Sequence, residues 1–579
     1  MEYYRTVLMA TTNFVGYWPS LTTSITDEQT QLRLFSQCLI QKLPHLLASD
    51  ILYNLPLNDP NPTWEEWNGP LTSDIDTIIS NFLTTLVDQP TIPPSAILIS
   101  QLGLASGGLG LLCPRTRAAP DFVITMTAAT RNAQRGFRIH RDLLPFQLHQ
   151  SLRNLFDKST NPSSKILQRF HLLLPPIAHI ACAPSTPTHE RITHFLTSVS
   201  EKSARSRIKT HCNTYLWTEL HHEFYNTTPN HLHLLPSILS PQTSYPLISL
   251  CRSLPQNRLP PWMFLPALKR KLRLPLFDST DKPFCPCGQH NDPYGDHIFH
   301  CRRINKIAAH NFIRDGFAAT LGPLLTTAGY LLPNSSVDVE PQLLLPSDPH
   351  ARPFDLSFNP DPCSPPLINH ACPYTTVGFD VTITSPPPCP SFDPTSHDVT
   401  TILTANADSH LQKYEKKKIG RDNKTDQTTG TMTIGDTVIG DLHTRNMILI
   451  PLALDPHGRF GPLLQTFLFD TNPATPISFA PTKPNATLMY SKITTFPSPK
   501  GVLKIADHNW TLTKTRAFYG HSYSAPTPTI HTLQQFGLTI IKAYAIHIRY
   551  ARRRFIDHPA LPPNTNPTVP LFNGQSIGT

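Results

Sequence analysis

The chain has 579 residues, a formal net charge of +9 and only 15% charged residues, with 61 Pro and 27 His against 24 Gly. That length exceeds one ordinary domain, and the proline content limits long helices and calls for many extended connections. No apolar run reaches the roughly 18 residues of a membrane span, and the opening MEYYRTVLMATTNFVGYWPS lacks the basic and apolar regions of a secretory signal.

Eleven cysteines without such a signal point to a reducing, intracellular compartment, where cysteines serve as buried thiols or metal ligands. The mild basic bias permits a nucleic-acid partner. The composition reads as packed domains joined by Pro-rich connectors, a multidomain α+β protein.

In chain order, residues 1–260 read as mainly helical. Leu34, Cys38, Leu43, Leu46 and Leu47 recur at roughly helical spacing. TSDIDTIISNFLTTLVD repeats apolar residues at three and four behind a candidate cap, Ser73. The run from Gly107 to Gly110 has no Gly-Lys-Ser/Thr continuation and no Val/Ile-rich strand before it, so it reads as a structural turn and not a phosphate loop. In LPALKRKLRLPLF, Lys269, Arg270, Lys271 and Arg273 form a basic cluster with two readings: a solvated helix face, or a strip contacting nucleic-acid phosphates.

Residues 261–320 form a small Cys/His module around CPCGQHNDPYGDHIFHC. Cys285 and Cys287 flank Pro286, with Gly288 next, which suits a tight turn presenting two thiolates. His297 and Cys301 are four apart, one helical turn on one face. The intervening GQHNDPYGD consists of turn formers. Four such ligands make a closed tetrahedral Zn²⁺ site without a position for water, so its role is structural. His290 and His300 are alternatives to His297, and His310 lies further on.

Residues 321–475 switch to strands mixed with helices, an α/β pattern. In TTVGFDVTIT, Val377, Phe379, Val381 and Ile383 alternate with Gly378, Asp380, Thr382 and Thr384. In RPFDLSF, Phe354, Leu356 and Phe358 alternate with Asp355 and Ser357. If these strands pair, Asp355 and Asp380 share a polar face where Mg²⁺ could bind, with Glu340 a further candidate ligand. Downstream, HLQKYEKKK places Lys413 on a helix, where a lysine beside metal-bound carboxylates stabilises phosphoryl charge. From spacing alone, solvated strand edges remain the alternative. Residues 476–579 read as a Pro/Thr-rich segment, a basic helix at LTIIKAYAIHIRYARRRF and a disordered tail after Asp557.

The order of motifs resembles the C-terminal part of LINE-like, non-LTR retrotransposon proteins of the algal and diatom type. In these a Cys/His zinc module precedes a restriction-endonuclease-like domain of the PD-(D/E)xK type. The match rests on Cys285, Cys287, Gly288, Asp292, Gly295, Asp296, His297 and Cys301, then RPFDLSF, GFDVTIT, HLQKY and IPLALDPHGRFGPLLQTFL. GGLGL upstream is similar to the stretch after the polymerase palm.

The resemblance implies a structural Zn²⁺, a Mg²⁺-dependent DNA-nicking centre at Asp355, Asp380, Lys413 and Glu340, DNA or element RNA as partner, and a nuclear location. Phe354 intervenes between Pro353 and Asp355, Thr382 stands at the usual lysine position, and His410 replaces the first helix lysine. These departures imply, as the alternative, a catalytically dead nucleic-acid-binding remnant. A Pro-rich scaffold with a structural zinc is a further alternative. The chain contains no Asp-Asp dipeptide, so the resemblance implies that the reverse-transcriptase palm is absent and that the chain starts after it.

Overall fold

The computed structural model describes residues 27–36, 64–111, 201–249, 255–277, most of 285–344, 352–360, 374–391, 399–419, most of 442–469, 501–513 and 527–555. These form a mixed α/β architecture, mostly helical, with one four-stranded sheet. No helix among them is long and apolar enough to cross a membrane.

The first layer is helical: α1 (Glu28–Leu34), α2 (Trp64–Val87), α3 (Pro94–Gln101), α4 (Glu201–Thr227), α5 (Leu235–Ile238), α6 (Ser244–Ile248) and α7 (Pro261–Lys271). Local chemistry starts several of them. Asp27 caps α1 by accepting the Thr30 N–H at 2.8 Å. Proline opens α3 and α7, where its missing N–H costs nothing. Helix α2 runs through Ser73, which is therefore interior and not a cap. The layer closes on Ile79, Phe82, Ile99, Leu220, Phe224 and Phe264, all nearly inaccessible. The Gly107 turn is structural: φ is +80°, and an added Cβ would lie 1.8 Å from the Leu239 carbonyl oxygen.

The second layer begins with α8 (Asp296–His300) and α9 (Ile307–Ala328), followed by β1 (Asp338–Val339), β2 (Leu356–Phe358) and β3 (Thr376–Ile383). Helix α10 (Val399–Ile419) connects β3 to β4 (Met447–Leu454), and α11 (Pro462–Phe469), α12 (Val502–Thr513) and α13 (Pro528–Phe555) complete it. The sheet order is β1-β2-β3-β4, with the first two pairings antiparallel and β3/β4 parallel. A helical crossover is what a parallel neighbour requires.

The alternation expected in β3 holds. Val377, Phe379 and Val381 join Leu356, Ile450 and Leu452 in the core under α9 and α13. Asp380 and Thr382 stay half-buried on the other face. Phe354 departs from the expected pattern: it packs with Leu442 and Leu449, apart from the core that holds Leu356 and Phe358. Its ring lies over Gly378, where a Cβ would come within 2.1 Å.

The division expected at 320 falls inside α9, and the one at 475 separates elements that share a core. Phe317 of α9 packs against Phe536 of α13 with tilted rings whose centroids are 4.3 Å apart. Residues beyond 475, expected as a loose segment and a basic helix, supply α12 and the 28-residue α13. The tail after Asp557 and the loop 420–441 lie outside the described residues.

Candidate functional site

The loop between Cys285 and Cys301 is built to hold four ligands. Asp292 organises it: Oδ1 accepts the N–H groups of Tyr294 and Asp296, and Oδ2 accepts that of His297 at 2.6 Å. Gly295 turns the chain with φ +78° into α8. The Cys301 N–H closes the turn onto the His297 carbonyl at 2.8 Å, and Cys285 N–H donates to the Gln289 carbonyl at 2.9 Å.

The ligand atoms of Cys285, Cys287, His297 and Cys301 then lie within 4.8 Å of one another. Cys285 and Cys301 Sγ are 3.7 Å apart, and Cys287 Sγ is 3.3 Å from His297 Nε2. A tetrahedron with Zn–S bonds of about 2.3 Å has edges of roughly 3.5–3.8 Å, so the donor set fits Zn²⁺. The sulfur separation is far beyond a disulfide bond of about 2.05 Å, and the described cysteines are free.

Burial pushes the Cys285 thiol up to about 12 and lowers His297, which keeps its imidazole neutral as a ligand must be. His300 is exposed, His310 is engaged elsewhere, and His290 lies outside the described residues.

Asp296, next to His297, anchors the module. It accepts from Arg273 at 2.7 Å and lies 3.6 Å from Arg270 and 3.7 Å from His457. Burial alone would raise its carboxyl, but Arg273 and Arg270 hold it well below the usual carboxylate range.

The phosphate-contacting reading of the basic cluster is corrected here, because three of its four side chains are buried. Arg270 donates to the Tyr294 and Pro456 carbonyls, and Lys271 Nζ donates to the Ile238 and Ser240 carbonyls at 2.7 Å each. Arg273 serves Asp296 and stacks on Tyr294. Only Lys269 stays partly accessible. A buried cation needs internal acceptors, and each of these three has at least one.

The second cluster is acidic. Asp355 lies just before β2, beside β3, and its N–H donates to the Phe379 carbonyl at 2.8 Å. Asp355 Oδ2 accepts the Val381 N–H at 2.7 Å. His310 Nε2 lies 3.1 Å from both Asp355 Oδ2 and the Val381 carbonyl oxygen, so it carries a hydrogen. The hydrogen bond to Asp355 holds this imidazole above its ordinary value, against the effect of burial. Thr382 donates to Asp380 Oδ2 at 3.1 Å. Glu340 is held by Arg314 and Arg352, one on each oxygen, and its N–H donates to the Asp355 carbonyl at 2.9 Å.

No hydrogen bond or ion pair among the described residues links Lys413 to this group. Helix α10 docks through His410 and Tyr414 onto Ser385, beyond the end of β3. Lys413 itself is exposed and forms no ion pair among the described residues. The acids do not fit Mg²⁺ as they stand. It requires oxygen ligands at about 2.0–2.1 Å in octahedral array, whereas internal N–H donors already take Asp355 Oδ2 and both Glu340 oxygens. Among the described residues the Cys/His group is the one cluster with metal-ligand convergence.

His310 and Arg314 escaped the sequence reading as partners of the acids. Their i, i+4 spacing was the available signal, since it sets two cations on one helical face.

Three exposed cations sit together near the end of α13. Arg549, Arg552 and Arg553 of α13 are exposed, and Arg549 lies 4.4 Å over the ring of Trp262 from α7. Compared with known proteins, the chain matches no family model and no curated sequence.

Proposed function

We propose that this chain is a retroelement-derived nucleic-acid-binding protein, built on a zinc-stapled fold of restriction-endonuclease-like lineage. The observation that carries the reading is the joint placement of two features in one core. A four-ligand Cys/His cluster packs against the same layer as a sheet in which Asp355, just before β2, bonds the β3 backbone at Phe379 and Val381, on either side of Asp380. That is the pairing the motif order implies. The zinc is structural: four protein ligands leave no position for a reacting water. Electrostatic attraction to phosphates supplies the binding, and it weakens steeply with salt.

The internal partners of Asp355 and Glu340 favour a protein that holds nucleic acid without cutting it. A second reading, metal-dependent nicking, draws support from the bond of Asp355 to the Val381 N–H, next to Asp380. One experiment separates them: supercoiled plasmid incubated with the zinc-loaded, reduced protein with and without Mg²⁺. Retention of plasmid at low salt without nicking above an Asp355→Ala control is the expected result. Nicking that Asp355→Ala or Asp380→Ala abolishes establishes the second reading. Failure to retain any nucleic acid at low salt overturns both and leaves a Pro-rich scaffold.

A further inference from the structure

Two helices remote in sequence build a surface that neither the zinc cluster nor the acids explain. Trp262, in the first turn of α7, is 38% exposed, and Tyr550 of α13 is 39% exposed. A guanidinium lies over the Trp262 ring, a pairing of cation and aromatic that single-strand-binding surfaces use. Arg549 stacks on Trp262, and Arg552 and Arg553 follow at three and four residues, on the same side of α13. Lys269, the accessible member of the basic cluster, lies seven residues after Trp262, two turns along one face of α7. Neither helix contains a single Asp or Glu.

The platform is firmly placed. Behind it, Phe264 and Leu268 of α7 and Ile541, Tyr544 and Ile548 of α13 are buried. Cations at the C-terminal end of α13 also complement its dipole. That role explains the arginines but not an exposed tryptophan stacked beneath one of them.

We infer that the Trp262–Arg549–Tyr550 surface, with Arg552, Arg553 and Lys269, binds single-stranded nucleic acid. The cations track the phosphates, and the aromatic rings offer faces on which unpaired bases stack. A paired base keeps its face inside the duplex, so the aromatic part of this surface selects single strands. Stacking is indifferent to base identity, so the site discriminates strandedness and not sequence. The inference rests on the nucleic-acid reading above and adds to it a location and a partner class.

The test uses the full chain, zinc-loaded and reduced, with oligo(dT), oligo(U) and a duplex of equal length. Tryptophan emission follows binding, and the Trp262→Phe difference isolates that ring. Single strands should quench the Trp262 contribution and bind more tightly than the duplex. Trp262→Ala should weaken single-strand affinity roughly tenfold or more, with a smaller effect on the duplex. Arg552→Gln with Arg553→Gln should make the slope of log K against log salt shallower by about 0.7 for each phosphate that is no longer neutralised. Trp262→Phe keeps a ring and guards against misfolding: it should retain most of the affinity. Binding that neither Trp262→Ala nor the paired Arg changes overturns the inference while leaving nucleic-acid binding intact. Equal affinity for duplex and single strand overturns it as well. No binding of any probe at low salt removes the nucleic-acid reading itself.

Discussion

Removing the metal from the Cys285–Cys287–His297–Cys301 cluster is the perturbation with the largest expected effect. Cys285 and Cys301 are buried with sulfurs 3.7 Å apart, and burial drives the Cys285 thiol up to about 12. Two thiolates at that spacing repel each other unless a cation sits between them. Without metal the sulfurs reprotonate, and weak S–H contacts replace four coordinate bonds. Structural Zn²⁺ binds with roughly 10–16 kcal/mol, comparable with the total stability of a domain, about 5–15 kcal/mol. Part of that survives chelation, because Ile298 and Phe299 between the ligands remain in an apolar core. A net loss of about 5 kcal/mol lowers Tm by roughly 10–20 °C for a unit of this size. The assay is a thermal melt of reduced full-length protein with and without chelator, beside elemental analysis. About one Zn²⁺ per chain, and a drop of that order reversed by added Zn²⁺, is expected. Protein that carries no zinc under reducing conditions and melts alike with and without chelator refutes the argument.

Three further outcomes follow from the same contacts. Asp296→Asn strips the counter-charge from Arg273 and Arg270, which are almost inaccessible; a loss of about 3 kcal/mol in urea unfolding near pH 7 is expected, and a change within about 0.5 kcal/mol contradicts it. Glu415 is fully buried, accepts the Leu463 N–H at 3.1 Å, and is pushed by burial from 4.5 up to about 8. Its folded value lies above its unfolded one, so its contribution is complete below 4.5 and disappears as pH rises through about 8. Glu415→Gln keeps the acceptor but cannot ionise, and should gain roughly 3 kcal/mol over wild type at pH 7, with less advantage in more acidic buffer; a pH-independent difference counts against this account. His310→Ala takes the imidazole off Asp355 Oδ2 and the Val381 carbonyl and leaves Oδ2 with the Val381 N–H, so Mn²⁺ followed by electron paramagnetic resonance should bind more tightly than in wild type, and Asp355→Asn in that background should remove the gain. Equal Mn²⁺ binding by wild type and His310→Ala speaks against His310 holding the acid.

Much of the second layer was legible because it rests on local periodicity. Period-two alternation in TTVGFDVTIT set the faces of β3, and the Cys/His spacing set the four ligands, since both are short-range constraints on the chain. The basic cluster failed for the opposite reason. Lys269 to Arg273 look alike as letters, yet Arg270 and Lys271 meet carbonyls from residues 294, 456, 238 and 240, none of which a local pattern announces. The same holds for Phe354. As an insertion it disturbs the strand motif, but Gly378 leaves room for its ring across the pairing, and the two read as a unit only once the register is known. Ser73 failed because the helix signal upstream of it, WEEWNGPL, contains both Gly69 and Pro70, residues that ordinarily argue for a boundary.

The acids and the arginine surface are two answers to one electrostatic problem. Carboxylates brought together on a sheet repel unless a cation joins them, and a metal nuclease leaves that place to a metal ion. Here His310 and Arg314, one turn apart on α9, meet Asp355 and Glu340, and Arg352 takes the second Glu340 oxygen. The Arg352 pair contributes little, because its guanidinium is about half exposed. The His310 and Arg314 contacts are better shielded and come from a helix fixed by Ile313 and Phe317 in the core. Internal cations thus neutralise Asp355 and Glu340 and spend the charge that a phosphate or a metal would otherwise meet. On α13 the reverse holds: exposed arginines and no acid within the helix. The inferred phosphate contacts therefore fall on the α7/α13 surface, where cations remain exposed, and not beside Asp355 and Glu340, whose charge is already met.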